Sequence, residues 1–201
     1  MSFLLLASSQ LALAEAKVDA IDDVTLTSCL TTRVKFNQDA LKKYQGSALS
    51  LKVEDESGDE ARIEPVTEKN GVFVWEKAIP VSENLTFTLL KDNAPISYPF
   101  SKETRNQLTK VIAPTQMAQA DTEEGVFVRG LSAGEASKKD LPISIAKDLA
   151  SKDLLVVVVS DDGKSLWQQY GKVDGPSLVA KVPSDANFGK PHIVANDTVC
   201  K

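Results

Sequence analysis

The sequence holds one histidine, two cysteines and few aromatic residues, 6% of its 201 positions. Each scarcity excludes a class of chemistry. A single histidine, His192, leaves no Ser-His-Asp or Cys-His arrangement except around itself. It follows "FGKP" and precedes the apolar "IVA", which marks it as a core or edge residue rather than a general base. Two cysteines and one histidine do not build an ordinary zinc site. The chain contains no HExxH, no GxSxG and no GxxxxGK[ST] sequence. So few aromatics, many of them needed for cores, leave few for an exposed sugar-stacking row.

Basic charge is also short. With a net charge of −5 and a pI near 5.0, the protein lacks the clustered Lys and Arg that give affinity for nucleic-acid phosphates or anionic membranes. No apolar stretch approaches the roughly 20 residues that a membrane-spanning helix needs. Long amphipathic helices are missing too. Only "NQDALKKYQ" near residue 40, "SKETRNQLTKVIA" from Ser101 and "IAKDLASK" near residue 147 read as helical, each of a few turns. A non-enzymatic protein without cofactor or metal is the expectation. A hydrolase acting through a carboxylate pair stays as a lesser alternative, because 28 acidic residues offer many pairs.

What is present begins with "MSFLLLASSQLALAEA", apolar at Phe3–Leu6 and again at Leu11–Ala14. Ala12-Leu13-Ala14 places small residues at −3 and −1 of a secretory cleavage site, so residues 1–14 read as a signal peptide and Glu15 as the mature N-terminus. No charged residue precedes Glu15, so the usual basic n-region is missing. Leu26-Thr27-Ser28-Cys29 matches a lipobox, but it follows the polar "DAIDDVT" and does not close an apolar core. Export to a periplasmic or extracellular compartment predicts a disulfide between Cys29 and Cys200. One thiol is then expected in the first strand and the other at the penultimate position.

Many short segments alternate apolar and polar residues: "TLTSCL", "ALSLKVED", "GVFVWEKAI", "LTFTLLKD", "GVFVRGL", "LLVVVVSDD" and "SLVAKV". Period two marks half-buried strands. Turn chemistry separates them in "ESGDE", "EKNG", "KDNAP", "SDDGK" and "KVDGP". The strands recur as a weak internal repeat. Arg33–Pro80 and Pro142–Pro183 share an order of elements, with Asp39 on Asp148, Val53 on Val159 and Gly58 on Gly163. Lys77-Ala78-Ile79-Pro80 falls on Lys181-Val182-Pro183.

About seven strands per copy is the count of an immunoglobulin-like sandwich. The expected fold is all-β, with two tandem immunoglobulin-like β-sandwich domains joined by a short helical or irregular linker. The divisions are a signal peptide at 1–14, domain 1 at 15–100, a solvated linker at 101–123 and domain 2 at 124–201. Trp75 and Trp167 are the expected inner-face anchors.

The acidic stretches "EDESGDE" (Glu54–Glu60) and "SDDGK" (Asp161, Asp162) lack EF-hand spacing and read as hairpin tips, not calcium sites. Asn84-Leu85-Thr86 and Asn196-Asp197-Thr198 fit the glycosylation sequon at about the rate chance allows. If the two domains were strung end to end, the thiols would sit several tens of ångströms apart, because each sandwich is roughly 30 Å long. Disulfide closure needs Cα atoms within about 7 Å. Pairing within one chain therefore predicts that the domains fold back side by side.

The stretch "LTTRVKFNQDA" is similar to the first strand of the periplasmic chaperones that assemble pili, which also carry two immunoglobulin-like domains. That resemblance implies a client subunit bound through its carboxylate by an Arg and a Lys, with Arg33 the local match to the Arg-containing motif. The chain departs from that family at "LTFTLLKDNAPISYPF", where two prolines interrupt the expected client-binding strand. The leading expectation is an exported structural or interaction protein, an accessory component of a cell-envelope or extracellular assembly with protein partners. The pilus-assembly chaperone is the alternative, and a carbohydrate-binding module is a weaker one.

Overall fold

The computed structural model describes residues 16–56, 62–111, 137–162 and 166–200. Domain 1 contains β1 (Ile21–Leu26), β2 (Thr32–Phe36), β3 (Leu49–Glu54), β4 (Arg62–Pro65) and β5 (Thr67–Lys69). It continues with β6 (Val72–Lys77), β7 (Leu85–Lys91), β8 (Ala94–Pro95) and β9 (Phe100–Lys102). One helical turn, α1 (Gln38–Leu41), lies between β2 and β3, and α2 (Arg105–Val111) follows β9. Domain 2 contains β10 (Lys138–Ser144), β11 (Asp153–Val159), β12 (Leu166–Lys172), β13 (Ser177–Pro183) and β14 (His192–Ala195). Among the described residues the chain is nearly all β, as its composition of strands predicts.

Local chemistry explains the elements. Burial alternates along β2 and β3, so each strand gives one face to a core and one to solvent. Asn70 and Gly71 both adopt positive φ (52° and 76°) in the two-residue turn between β5 and β6. Asp92 and Asn93 do the same (50° and 63°) between β7 and β8. These are the turns that match strand twist, and Asn, Asp and Gly tolerate them best. Asn37 caps α1 by accepting a 3.1 Å hydrogen bond from the Ala40 amide. Around residue 147 the expected helix is only a run of turns closed by i→i+3 hydrogen bonds, such as Leu149 N to Ala146 O.

Strand pairing makes domain 1 a sandwich. One sheet has the order β1-β2-β6-β5; the other runs β4-β3-β7-β8, with β9 also on β7. That is the constant-type immunoglobulin arrangement of strands A-B-E-D opposite C-F-G, here with an extra strand beside C. Between the sheets Trp75 meets Phe87 edge-on, with ring centroids 6.5 Å apart. The repeat holds in the described part of domain 2. The β10–β13 pair repeats β2–β6, and the sheet β12-β11-β14 repeats β4-β3-β7. The matched Val53 and Val159 stand near the ends of equivalent strands. Residues 1–14 and "GVFVRGL" lie outside the described residues, as do Gly58 and Gly163.

Four details depart from expectation. Cys29 sits in the turn between β1 and β2, not within a strand. The expected domain boundary at residue 100 falls inside β9. α2 is docked rather than solvated: Leu108 is buried, and Gln107 Oε1 accepts a 2.9 Å hydrogen bond from Leu26 N. Trp167 shares the inner face of domain 2 but is only partly buried, on β12, which is an edge strand among the described residues.

The "LLVVVV" of β11 does not alternate. Leu154 to Val159 are all buried. A continuous apolar run is what a strand needs when both of its faces are covered. Leu154, Val156 and Val158 face β10 and β13 through Ile143, Ala180 and Val182. The opposite face packs in the same apolar cluster as Leu26, Leu30, Ala78, Val81 and Leu108 of domain 1. Register fixes which face this is. Val158 pairs with Trp167, so Gln168 stands opposite Val157, and cross-strand partners share a face. The Gln168 side chain bonds both backbone groups of Val81, accepting from N at 2.9 Å and donating to O at 2.5 Å.

All the domain 1 residues in this contact come from one end of its sandwich. Thr32 pairs with Lys77, and Leu85 pairs with Lys102, so the β1–β2 turn, the β6–β7 connection and α2 share that end. The domains therefore meet end to face, which is neither a rod nor the expected side-by-side packing.

Candidate interaction site at the domain junction

Cys29 projects from the β1–β2 turn at that end, and Cys200 lies five residues past β14. The two form a disulfide with Cα atoms 5.5 Å apart. The expected pairing is thus made across the junction, without folding one sandwich along the other. The bond holds the segment after β14 against the outer face of β6. There Glu76 accepts hydrogen bonds from Thr31 Oγ1 (2.5 Å), Arg33 Nε (2.7 Å) and the Cys200 amide (2.9 Å). Burial pushes the Glu76 carboxyl up, but these three donors outweigh it and hold the group below its ordinary value.

Arg33 and Glu76 are direct cross-strand partners on β2 and β6. Arg33, the match to the Arg-containing motif, is therefore engaged by a carboxylate of its own chain. Thr32–Phe36 is also the second strand of domain 1, not the first strand that the resemblance to the pilus chaperones implies. A further contact crosses the junction at Arg62, whose guanidinium carbon lies 3.4 Å from the centroid of the Tyr170 ring. Burial raises the Tyr170 phenol pKa, partly countered by Arg62.

Beside the disulfide a cleft of about 290 Å³ opens between the outer face of β5–β6 and the C-terminal segment. Val74 and Val199 line it, 37% and 60% exposed, together with Pro65. Lys69 and Lys77 also line it, Lys69 from the outer face with its partner Val72 and Lys77 from the junction end of β6, opposite the buried Thr32. Its two carboxylates are already occupied: Glu76 as above, and Asp197 by Lys152 at 3.3 Å. Neither Lys69 nor Lys77 has an ion-pair partner among the described residues. No signal in the sequence separates these side chains from ordinary surface charges, because the cleft joins segments more than 100 residues apart.

The other sequence candidates stay dispersed. Asp162 accepts a hydrogen bond from Ser160 Oγ within its own turn, and Glu54 pairs with Lys52. Residues 57–60 lie outside the described residues. Among the described residues no three His, Cys, Asp or Glu side chains gather as metal ligands. Asn84 is exposed before β7, whereas Asn196 is half-buried with its Oδ1 enclosed.

His192 begins β14, opposite Val157, with its Nε2 atom enclosed and without a hydrogen-bond partner among the described residues. Burial depresses its imidazole pKa. The folded state thus binds this proton less readily than the unfolded chain, whose histidine titrates near 6.5. The stability it contributes is full above that pH and lost as pH falls through it, by up to about 1.4 kcal/mol per pH unit. Urea midpoints measured from pH 7.5 to 5.5 should fall in the native protein and stay flatter in His192→Gln.

No protein-family model matches the chain, and no curated protein matches it in sequence. Among solved structures it is similar to the FN1–FN3 domains of chicken CNTN1, at 11% identity and a TM-score of 0.29. That match covers 92% of this chain and 68% of the other. So low a score decides nothing further; the sandwich assignment rests on this chain's own strand order.

Proposed function

We propose that the protein is an exported, non-enzymatic scaffold that presents two sandwich domains in one fixed relation to a protein partner of a cell-envelope or extracellular assembly. The observation that carries this reading is the junction. A covalent bond, a carboxylate with three donors and a sheet face buried against the neighbouring domain all hold one geometry. A catalytic pair or a ligand cage would instead bring convergent polar groups into a pocket. Fixed geometry lowers the entropy cost of presenting a surface that both domains share.

Export fits the disulfide, since such bonds persist in oxidising compartments. Among the described residues no helix is long and apolar enough to cross a membrane. Intact-mass measurement of native material should show a chain beginning at Glu15. Retention of residues 1–14 would remove the secretory part of the proposal. Cross-linking in intact cells, followed by mass spectrometry, should return one recurrent partner with cross-links to both domains. Cross-links confined to one domain, unchanged when the junction is loosened, would overturn the shared-surface reading.

A further inference from the structure

We infer that His192 is a proton-operated latch of the domain junction: protonated in mildly acidic surroundings, it releases the covered sheet face of domain 2 from domain 1. This deepens the scaffold reading and rests on it for its use, since the latch would regulate the fixed relation of the two domains.

Position comes first. His192 pairs with Val157 from one side and Gln168 stands opposite Val157 on the other, so the three form a row across the sheet β12-β11-β14. Cross-strand partners share a face, and this face packs against Leu26, Leu30, Ala78, Val81 and Leu108 of domain 1. His192 and Gln168 are thus rooted about 10 Å apart, two strand spacings. Gln168 reaches across the junction to both backbone groups of Val81. At the other end of the row the imidazole Nε2 is enclosed and has no hydrogen-bond partner among the described residues. A neutral ring tolerates this. An imidazolium has two N–H donors and a charge, and enclosing them without a partner is costly.

No neighbouring charge compensates. On the same face β11 starts at Asp153, which is paired in register with Lys172, and β12 offers Tyr170. Along the chain from His192 the nearest ionisable groups are Lys190 and Asp197, the latter bonded by Lys152. From domain 1 the β3–β4 connection brings Asp55, Glu56 and Arg62, and Arg62 lies over Tyr170. The β6–β7 connection brings Glu83, already bonded by Arg105 of α2, where Lys110 is the other cation. The β1–β2 turn has no ionisable group beyond the bonded Cys29. Among the described residues none of these offsets burial, which alone depresses the imidazole pKa.

Opening the junction returns the ring to water and to its ordinary proton affinity, near 6.5. The closed form binds the proton less readily. Protonation therefore favours the open form below about pH 6.5, by up to about tenfold per pH unit. Above that pH the latch is shut. The Cys29–Cys200 bond spans the junction and keeps the opened domains tethered.

Amide hydrogen exchange on the full oxidised chain is the test, because the Val81 N–H donates to Gln168 across the junction. Val81 should be less protected at every pH than amides of the central strands β3 and β11, whose exchange needs a domain to unfold. After correction for the intrinsic pH dependence of exchange, its protection should hold from pH 7.5 to 6.5 and fall up to about tenfold by pH 5.5. His192→Gln should abolish that fall. The single histidine supplies a second measurement that needs no variant: its imidazole proton resonance should titrate with a midpoint below about 6.5. Val81 protection that does not change with pH, protection equal to that of β11, the same fall in His192→Gln, or a midpoint at or above about 6.5 would overturn the inference. The two levels fail separately. Val81 reads the junction with no partner present, whereas the absence of any partner in intact cells removes the scaffold and leaves the pH response.

Discussion

Replacing both cysteines, Cys29→Ser with Cys200→Ser, should lower the unfolding free energy by about 5 kcal/mol. The bond joins positions 171 residues apart, so it constrains nearly the whole unfolded chain, and the loop-entropy model places the effect at the upper end of its range. For a chain of this size that corresponds to a fall in Tm of roughly 10–20 °C. Losing the bond also frees the C-terminal segment, and Glu76 then relies on Arg33 and Thr31 alone. Calorimetry on the oxidised native protein and the double variant gives the comparison. Peptide mapping of the native monomer should return one Cys29–Cys200 peptide. A disulfide-linked dimer, or thiols that react freely in exported material, would sink the assignment.

A pair of neighbouring truncations tests the end-to-face packing. Leu154→Ala removes a side chain facing β10 and β13, and Leu155→Ala removes one facing domain 1. Both residues are within 1% of full burial, so both changes should cost about 2–5 kcal/mol. In an ordinary solvated sheet the two would differ sharply, because one of two successive residues would point to water. Urea unfolding of the two variants decides the point. A cost under about 1 kcal/mol for Leu155→Ala would mean that domain 1 does not cover this face in solution. On the proposed scaffold role, a loosened junction would present the surface shared by the two domains less often.

Much of the fold was written locally. The pairs Asn70-Gly71 and Asp92-Asn93 announce their hairpins because only a few residue types accept positive φ, and a turn feels little beyond its own four residues. The repeat was legible because each copy solves the same packing problem with the same succession of strands. The helix expected near residue 147 failed because "IAKDLASK" is too short to hold helix without a face to bury, and turns satisfy its backbone at less cost in order. "LLVVVV" departs from the alternation expected of its segment, and its unbroken apolar run already reports cover on both sides.

The sequence by itself determined the all-β class, the tandem copies, the hairpin turns and the two cysteines as natural partners, since these follow from periodicity, turn stereochemistry and cysteine count. Tertiary structure alone decided that Cys29 lies at the end of one sandwich and Cys200 beside it, and that Arg33 belongs to Glu76. It alone decided, too, that the far side of β11 is covered by domain 1. An apolar face declares that it must be buried but carries no mark of what will bury it, because hydrophobic burial has no direction. The cleft of Val74, Val199, Lys69 and Lys77 exists only once that choice is made.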